Sequence, residues 1–510
     1  MQKNILEYLE ATAARVPDKL AFSTGKESMT FFEVYEQARS IGTYLCELGL
    51  ERESVVILMD KHPRTVTAFW GVIYAGCFYV CLDEKMPRTR MDAIIENITP
   101  RTIICDKRNE KTARELGLEN VLVYDDICHF PENSARLLEI RRAQCDVDAI
   151  YVVFTSGSTG VPKGVVACHR SVIDYTESLT AALGFDENTV FANQTPLYFD
   201  APLKELMPTL KVGASTYFVP KMLFSFPVRL VEYLDTYKIN TICWVVSALV
   251  QVSSLGALEA HVPKYLTTVA FGSEVFPRKQ YDLWRSALPD ARFFNLYGPT
   301  EATGMSCYWK ADRVLGEEEP IPVGRPFDNT QIMLLGDEDK LSDEGEICIR
   351  GTCVTLGYYN NPARTDEAFV QNPLQSAYRE IIYRTGDIGK YNEYGELVFV
   401  CRKDNQIKHM GHRIELGEIE SAALKCDGVS RSACVYNKEK KEIVLFYTGL
   451  GATGALMTQL VTRIPRYMLP AQIIKLDEMP LTDNGKLDRR FLLEHAYDTH
   501  IRITDHPVEE

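Results

Sequence analysis

The chain has 510 residues, 46% hydrophobic and 25% charged, the balance of a soluble globular protein too long for one core and sized for two to four domains or subdomains. Its formal net charge of −14, with no long basic block to offset it, argues against nucleic acid as the main partner. A local basic pocket for a nucleotide stays open.

From the start, MQKNILEYLEATAARVPDKLAF (1–22) has the spacing of an amphipathic helix with acidic residues, not of a signal peptide. SVVILM (54–59) reads as a buried strand. Residues 65–82, TVTAFWGVIYAGCFYVCL, carry no charge over a length near the membrane-spanning threshold. Gly76 divides them into helix-like spacing before and β-prone aromatics after, so a buried helix running into a core strand is expected. Strand-like runs recur at 102–105, 120–124, 241–246 and 267–271, with helical periodicity between, as in RLVEYLDTYKI (229–239). That alternation predicts α/β architecture with largely parallel sheets. From about 328 short strands and turns predict a small β-rich subdomain or barrel. Beyond 402, ELGEIESAALKC, SACVYN, EIVLFYTG and MTQLVTRIP alternate again and predict a small α+β domain. Fourteen cysteines stand singly in apolar runs without a CxxC pair, which reads as free thiols in a reducing, cytoplasmic compartment.

Chemistry concentrates in a few loops. AIYVVF (149–154) feeds TSGSTGVPKG (155–164), where glycines let backbone N–H groups converge, hydroxyls add donors and Lys163 adds charge: a phosphate binder. It fails the GxxxxGK-Ser/Thr form, since Pro162 precedes the lysine and Gly164 follows it. Downstream, in order, come NLYGPTEAT (295–303), YRTGDIGKY (383–391), RKDNQIKHMGHRIELGEIE (402–420) and LTDNGKLDRR (481–490). Singly each could be a turn; together they are not chance.

The set resembles the adenylate-forming superfamily, and within it the amino-acid adenylation domains of nonribosomal peptide synthetases and the stand-alone D-alanine–carrier-protein ligases. The resemblance runs from MTFFEVYEQA (29–38) to the terminal NGK. It implies an N-terminal ATP- and amino-acid-binding domain over 1–402, built of two α/β subdomains and a small β-barrel subdomain. A mobile α+β cap over 403–510 would carry the catalytic lysine. It implies an enzyme, a ligase that uses ATP and Mg²⁺ to turn an amino acid into an aminoacyl adenylate, releasing pyrophosphate.

By that resemblance Thr155, Ser156, Gly157, Ser158, Thr159, Gly160 and Lys163 would hold the departing phosphates. Glu301 would bind Mg²⁺ and Thr300 the α-phosphate. Gly272, Ser273, Glu274, Asn295, Leu296, Tyr297 and Gly298 would form the nucleotide pocket, with Asn295 and Tyr297 on the adenine. Asp387, with Arg402 nearby, would accept from the ribose hydroxyls. Lys486 would bridge carboxylate and α-phosphate, and Asp404 would be the hinge, next to a Cys401 where the family has glycine. The chemistry is coherent, because two anions must be positioned and neutralised before one attacks the other.

The acid's identity rests on TPLYFDAPLKELMPTL. In register with the family, Asp200 would pair with the α-ammonium, a charge that aryl and fatty acids lack; the bland alternative is that Asp200 caps the helix starting at 201. Phe199, Ala201, Lys204, Cys243, Val269, Phe271, Leu296, Gly304 and Met305 would complete the pocket. Lys204 would suit an acidic side chain; if it instead pairs locally with Asp200 or Glu205, or extends its ammonium into water, a small neutral amino acid is favoured. No phosphopantetheine site follows Lys486, so the expected acceptor is a separate carrier protein's phosphopantetheine thiol, and the protein is expected to be a monomer. An acyl- or aryl-CoA ligase, or an amide-forming ligase, would use the same adenylate. A plain phosphate-loop ATPase lacks its motif, and a catalytically dead scaffold is at odds with the retained Glu301, Asp387 and Lys486.

Overall fold

A computed structural model describes residues 2–157, 162–317, 319–403, 406–481 and 487–497. The chain divides into two compact units. The first holds residues 1–84, 98–154 and 164–403; the second holds 404–510 together with the short segments 85–97 and 155–163.

The first unit is mixed α/β. A nine-stranded sheet has at its centre the parallel strands Val190–Asn193, Thr241–Val245, Thr268–Gly272 and Arg292–Tyr297. A six-stranded sheet contains Asn120–Val123, Thr102–Cys105, Ser54–Leu58, Phe78–Cys81 and Ala149–Thr155. A five-stranded antiparallel sheet, built around Glu344–Gly351 and Ile381–Tyr391, follows residue 328. Central strands such as Ser54–Leu58 are buried along their whole length, as parallel strands covered on both faces must be.

The uncharged stretch near residue 70 is a buried helix, Pro63–Tyr74, and a strand, Phe78–Cys81. They join through Gly76 at φ +72°, a left-handed conformation that glycine adopts without a Cβ penalty. Among the described residues no helix is long and apolar enough to cross a membrane. The N-terminal helix is shorter than its spacing suggested: it spans Leu6–Arg15, and LAF belongs to the strand Leu20–Ser23. Pro17 explains the stop, since proline cannot extend the hydrogen-bond ladder and bars its predecessor from helical angles. All fourteen cysteines are free and most are buried.

The second unit packs the helices Leu416–Leu424 and Thr453–Val461 with the sheet Val429–Asn437, Glu442–Gly449 and Gln472–Lys475. Its core includes Ile414, Ile419, Leu445, Tyr447 and Leu460.

Candidate functional site

In the first unit the motif residues gather at the carboxyl ends of the parallel strands Thr241–Val245, Thr268–Gly272 and Arg292–Tyr297, where open α/β sheets place their ligands. Gly272 is required there: a Cβ would stand 2.3 Å from the Leu296 carbonyl oxygen. Gly298 is equally constrained, with Met305 Cα and Ser306 N both 2.5 Å from where its Cβ would be. Ser273 follows at φ +70°, and Glu274 accepts the Ser247 N–H at 2.8 Å. The chain then turns through the short 3-10 helix Thr300–Ala302 and returns antiparallel as Cys307–Lys310.

Glu301 is completely buried in that turn. Its Oε1 accepts the Tyr358 hydroxyl at 2.7 Å, and its carbonyl oxygen accepts the Thr355 hydroxyl at 3.0 Å. Asp387 lies opposite Arg402 across two paired strands. Arg402 Nη1 donates to its Oδ1, and the Tyr297 hydroxyl donates to its Oδ2, each at 2.6 Å. Burial, and then the charge of Asp387, hold the Tyr297 phenol well above its usual range, so it stays a donor. Asn295 gives its Nδ2 hydrogen to the Pro322 carbonyl at 2.7 Å.

Asp200 precedes the helix Leu203–Val212 and does not cap it: Pro202 is the capping residue, without a side-chain bond. Among the described residues, Asp200 Oδ2 is buried without a hydrogen-bond partner. Burial raises its pKa, against the pull of Thr300 and Lys204. Gly304 borders it; a Cβ there would sit 3.7 Å from Oδ2. The Phe199 ring packs on Tyr198, with centroids 4.6 Å apart, and Ala201 is half-buried. Cys243, Leu296 and Met305 share one core with Leu203 and Leu206 of that helix.

Two pocket residues expected from the register lie elsewhere. Cys243 is paired with Ala270, and Leu296 with Gly272, across the sheet. Side chains alternate along a strand, so Val269 and Phe271 face the opposite side. There Phe271 packs on Phe276, with centroids 4.9 Å apart, in a core with Trp244 and Tyr281. Strand alternation therefore separates Val269 and Phe271 from the group around Lys204, and Ala270 stands on the Lys204 side.

Around Asp200 the structure shows the setting of Glu205 and adds Asn193 and Lys61, which motif reading did not find. Glu205 is fully buried; its Oε2 accepts the Asn193 amide at 3.3 Å and its Oε1 has no hydrogen-bond partner. Lys61 donates to the carbonyls of Asn193 and Gln194, each at 3.1 Å. Burial pushes Glu205 up to about 8 and Lys61 down to about 7. Lys61, 132 residues before Asn193, left no local signal of this neighbourhood.

In the second unit, the described part of the glycine-rich loop is held by the segment after 404. The Ser156 hydroxyl donates to the Arg413 carbonyl at 2.9 Å and accepts the Glu415 N–H at 3.2 Å. Lys163 is buried, 3.7 Å from Glu415. The Gly157 N–H donates to Glu418 at 3.3 Å, and Glu418 pairs with a buried Arg90. Thr155 keeps a buried hydroxyl without a hydrogen-bond partner. Ser158, Thr159, Gly160, Asp404 and Lys486 lie outside the described residues.

Comparison with known proteins gives a consistent picture. The family model described as AMP-binding enzyme matches residues 9–359, and that of the AMP-binding enzyme C-terminal domain matches 418–486. Tyrocidine synthase 1 of Brevibacillus parabrevis is 30% identical over 502 residues, covering 96% of this chain and 45% of that protein. The chain spans less than half the length of the first curated relatives it matches. Among solved structures, the Vibrio cholerae adenylation domain AlmE, in complex with glycyl-adenosine-5'-phosphate, superposes with a TM-score of 0.84 at 19% identity, covering 97% of this chain and 98% of that one. NpsA-ThdA, an artificially fused adenylation–PCP di-domain from Klebsiella oxytoca, gives a TM-score of 0.80 at 20% identity, covering 92% and 93%.

Proposed function

The chain belongs to the AMP-binding enzyme family, and from that premise we propose that it is a ligase activating an amino acid with ATP. The products of the first step are aminoacyl-AMP and pyrophosphate. The observation that carries the amino-acid reading is the buried, unpartnered Oδ2 of Asp200 beside Gly304. A carboxylate in that setting is costly until a cation meets it, and the α-ammonium of an amino acid is that cation. Aryl and fatty acids would leave it unmet.

Asp387 then accepts from the ribose hydroxyls, with Arg402 nearby, while Asn295 and Tyr297 meet the adenine and the backbone around Gly272 and Gly298 borders it. Thr300 faces the α-phosphate. Glu301 supplies the single hard carboxylate oxygen that Mg²⁺ uses alongside substrate phosphates, and bound Mg²⁺ would neutralise phosphate charge. Thr155, Ser156, Gly157, Ser158, Thr159, Gly160 and Lys163 hold the departing phosphates. Lys486 bridges the two reacting anions and Asp404 is the hinge, with the cap beginning at 403. The acceptor in the second step is a separate carrier protein's phosphopantetheine thiol, a reading supported by the adenylation–PCP fusion among the structural neighbours. The free cysteines suit a reducing, cytoplasmic setting.

The test is product analysis with the twenty amino acids and their D-forms. AMP and pyrophosphate, formed only with an amino acid present, are expected; ADP and phosphate would rule the reading out. Lys486→Ala should slow adenylation by about three orders of magnitude while ATP still binds.

A further inference from the structure

Asp387, the carboxylate read above as the acceptor from the ribose, sits on an irregular stretch of its strand. Glu346 is paired with Ile388 and Cys348 with Arg384, so Thr385, Gly386 and Asp387 together stand opposite Ile347 alone. Gly386 takes φ +72° within this bulge. A bulge interrupts the ladder and re-aims a side chain that regular alternation would direct elsewhere. It also leaves backbone donors without ladder partners, and a buried donor without an acceptor is costly.

Side chains meet two of those donors. The Thr385 hydroxyl donates to the Ile347 carbonyl at 2.7 Å, and its oxygen accepts the Asp387 N–H at 3.0 Å. The Gly386 N–H donates to Glu346 Oε1 at 3.0 Å. Glu346 Oε2 accepts from Arg384 Nε at 2.9 Å, from Arg384 Nη2 at 2.7 Å and from Lys403 Nζ at 3.0 Å. Lys403 also donates its N–H to the Gly386 carbonyl at 2.8 Å.

Glu346 is only 5% exposed. Burial pushes its pKa up, but the bonds from Arg384 and Lys403 outweigh burial and hold it below the usual carboxylate range. One buried anion therefore grips both sides of the Asp387–Arg402 pair. Arg384 and Gly386 precede Asp387 on one strand, and Lys403 follows Arg402 on the next. Without Glu346 the Gly386 N–H must turn to find another acceptor, and the neighbouring Asp387 turns with it.

We propose that Glu346 is a positioning residue for the nucleotide: by closing the bulge at 385–387 it fixes where the Asp387 carboxylate points and so sets the preference for a nucleotide with both ribose hydroxyls. This rests on the reading of Asp387 as the ribose acceptor.

The experiment is calorimetric binding of ATP, 2′-deoxy-ATP and 3′-deoxy-ATP, each with Mg²⁺, to the full chain and to Glu346→Ala, Glu346→Asp and Glu346→Gln. Thermal melting reports which variants fold. The wild type is expected to bind ATP about ten-fold or more tighter than either deoxy form, the scale of one hydrogen bond to a charged group. Glu346→Ala is expected to narrow that ratio to about two-fold. Glu346→Asp keeps the anion for Arg384 and Lys403 but is one methylene short of Gly386. It should narrow the ratio as well, and it carries the test if the alanine variant does not fold. Glu346→Gln still offers an oxygen to the Gly386 N–H and should keep most of the ratio. An equal fall in affinity for all three nucleotides in a folded alanine or aspartate variant marks a merely structural role and overturns the proposal. So does a glutamine variant that loses the ratio as fully as alanine does. A wild type that binds all three nucleotides alike overturns instead the ribose reading of Asp387 beneath it.

Discussion

Around Asp387 both carboxylate oxygens have donors, Tyr297 on one and Arg402 on the other. Around Asp200, among the described residues, the atoms Asp200 Oδ2, Glu205 Oε1, Asn193 Oδ1 and Tyr151 OH are all buried without a hydrogen-bond partner. In the first cluster each oxygen has one donor in place and keeps a lone pair for a further one. The second has buried polar atoms left unmet, which are costly. The contrast suits a nucleotide that adds hydrogen bonds to an already ordered carboxylate and an amino acid recognised by filling charges left open.

Removing Asp387 should break the first cluster most severely. Asp387→Ala leaves a mostly buried Arg402 without its carboxylate. We expect a loss of about 3 kcal/mol or more, roughly a hundred-fold in kcat/KM for ATP, measured by exchange with ATP varied. Asp200→Asn should act on the other side of the comparison. It keeps the shape and removes the charge, so the KM for the amino acid should rise about thirty-fold while that for ATP stays within about two-fold. A matched rise in both would erase the distinction between the clusters. Tyr297→Phe removes one hydrogen bond to a charged group, worth about 1.5 kcal/mol, and should weaken ATP about ten-fold.

The smallest effect is on stability. A carboxyl raised to about 8 in the folded protein binds its proton more tightly than in the unfolded chain. Its contribution is therefore fully present below the unfolded value near 4.5 and is lost as pH rises to about 8. Lys61, lowered to about 7, has the opposite sign: its penalty is relieved between about 7 and its unfolded value of 10.5. Glu205→Gln should flatten the fall in Tm between pH 5 and 8 by about 2–4 °C, as read by melting at stepped pH.

Much of this was legible in the sequence. The runs at 54–59, 102–105 and 241–246 contain the strands Ser54–Leu58, Thr102–Cys105 and Thr241–Val245, and the divided stretch around Gly76 is a helix and a strand, because apolar periodicity and β-branched content act locally. The motif loops were legible because glycines and hydroxyls at fixed spacing mark backbone that must approach something closely. The faces of the pocket strands were not. Counting along a motif places Val269 and Phe271 near the site, but only the pairing of their neighbours, Ala270 with Cys243 and Gly272 with Leu296, shows which way they point. Lys61, Asn193 and Glu205 come together through long-range topology, which no local pattern encodes. The joining of segments 85–97 and 155–163 to the C-terminal unit was invisible for the same reason.

The most direct measurement of the central claim is incorporation of labelled pyrophosphate into ATP with the amino acid present, omitted, or replaced by its deaminated analogue. The account predicts incorporation only with the amino acid and Mg²⁺, and none with the analogue, because nothing then meets Asp200. Equal incorporation with the deaminated acid would contradict it.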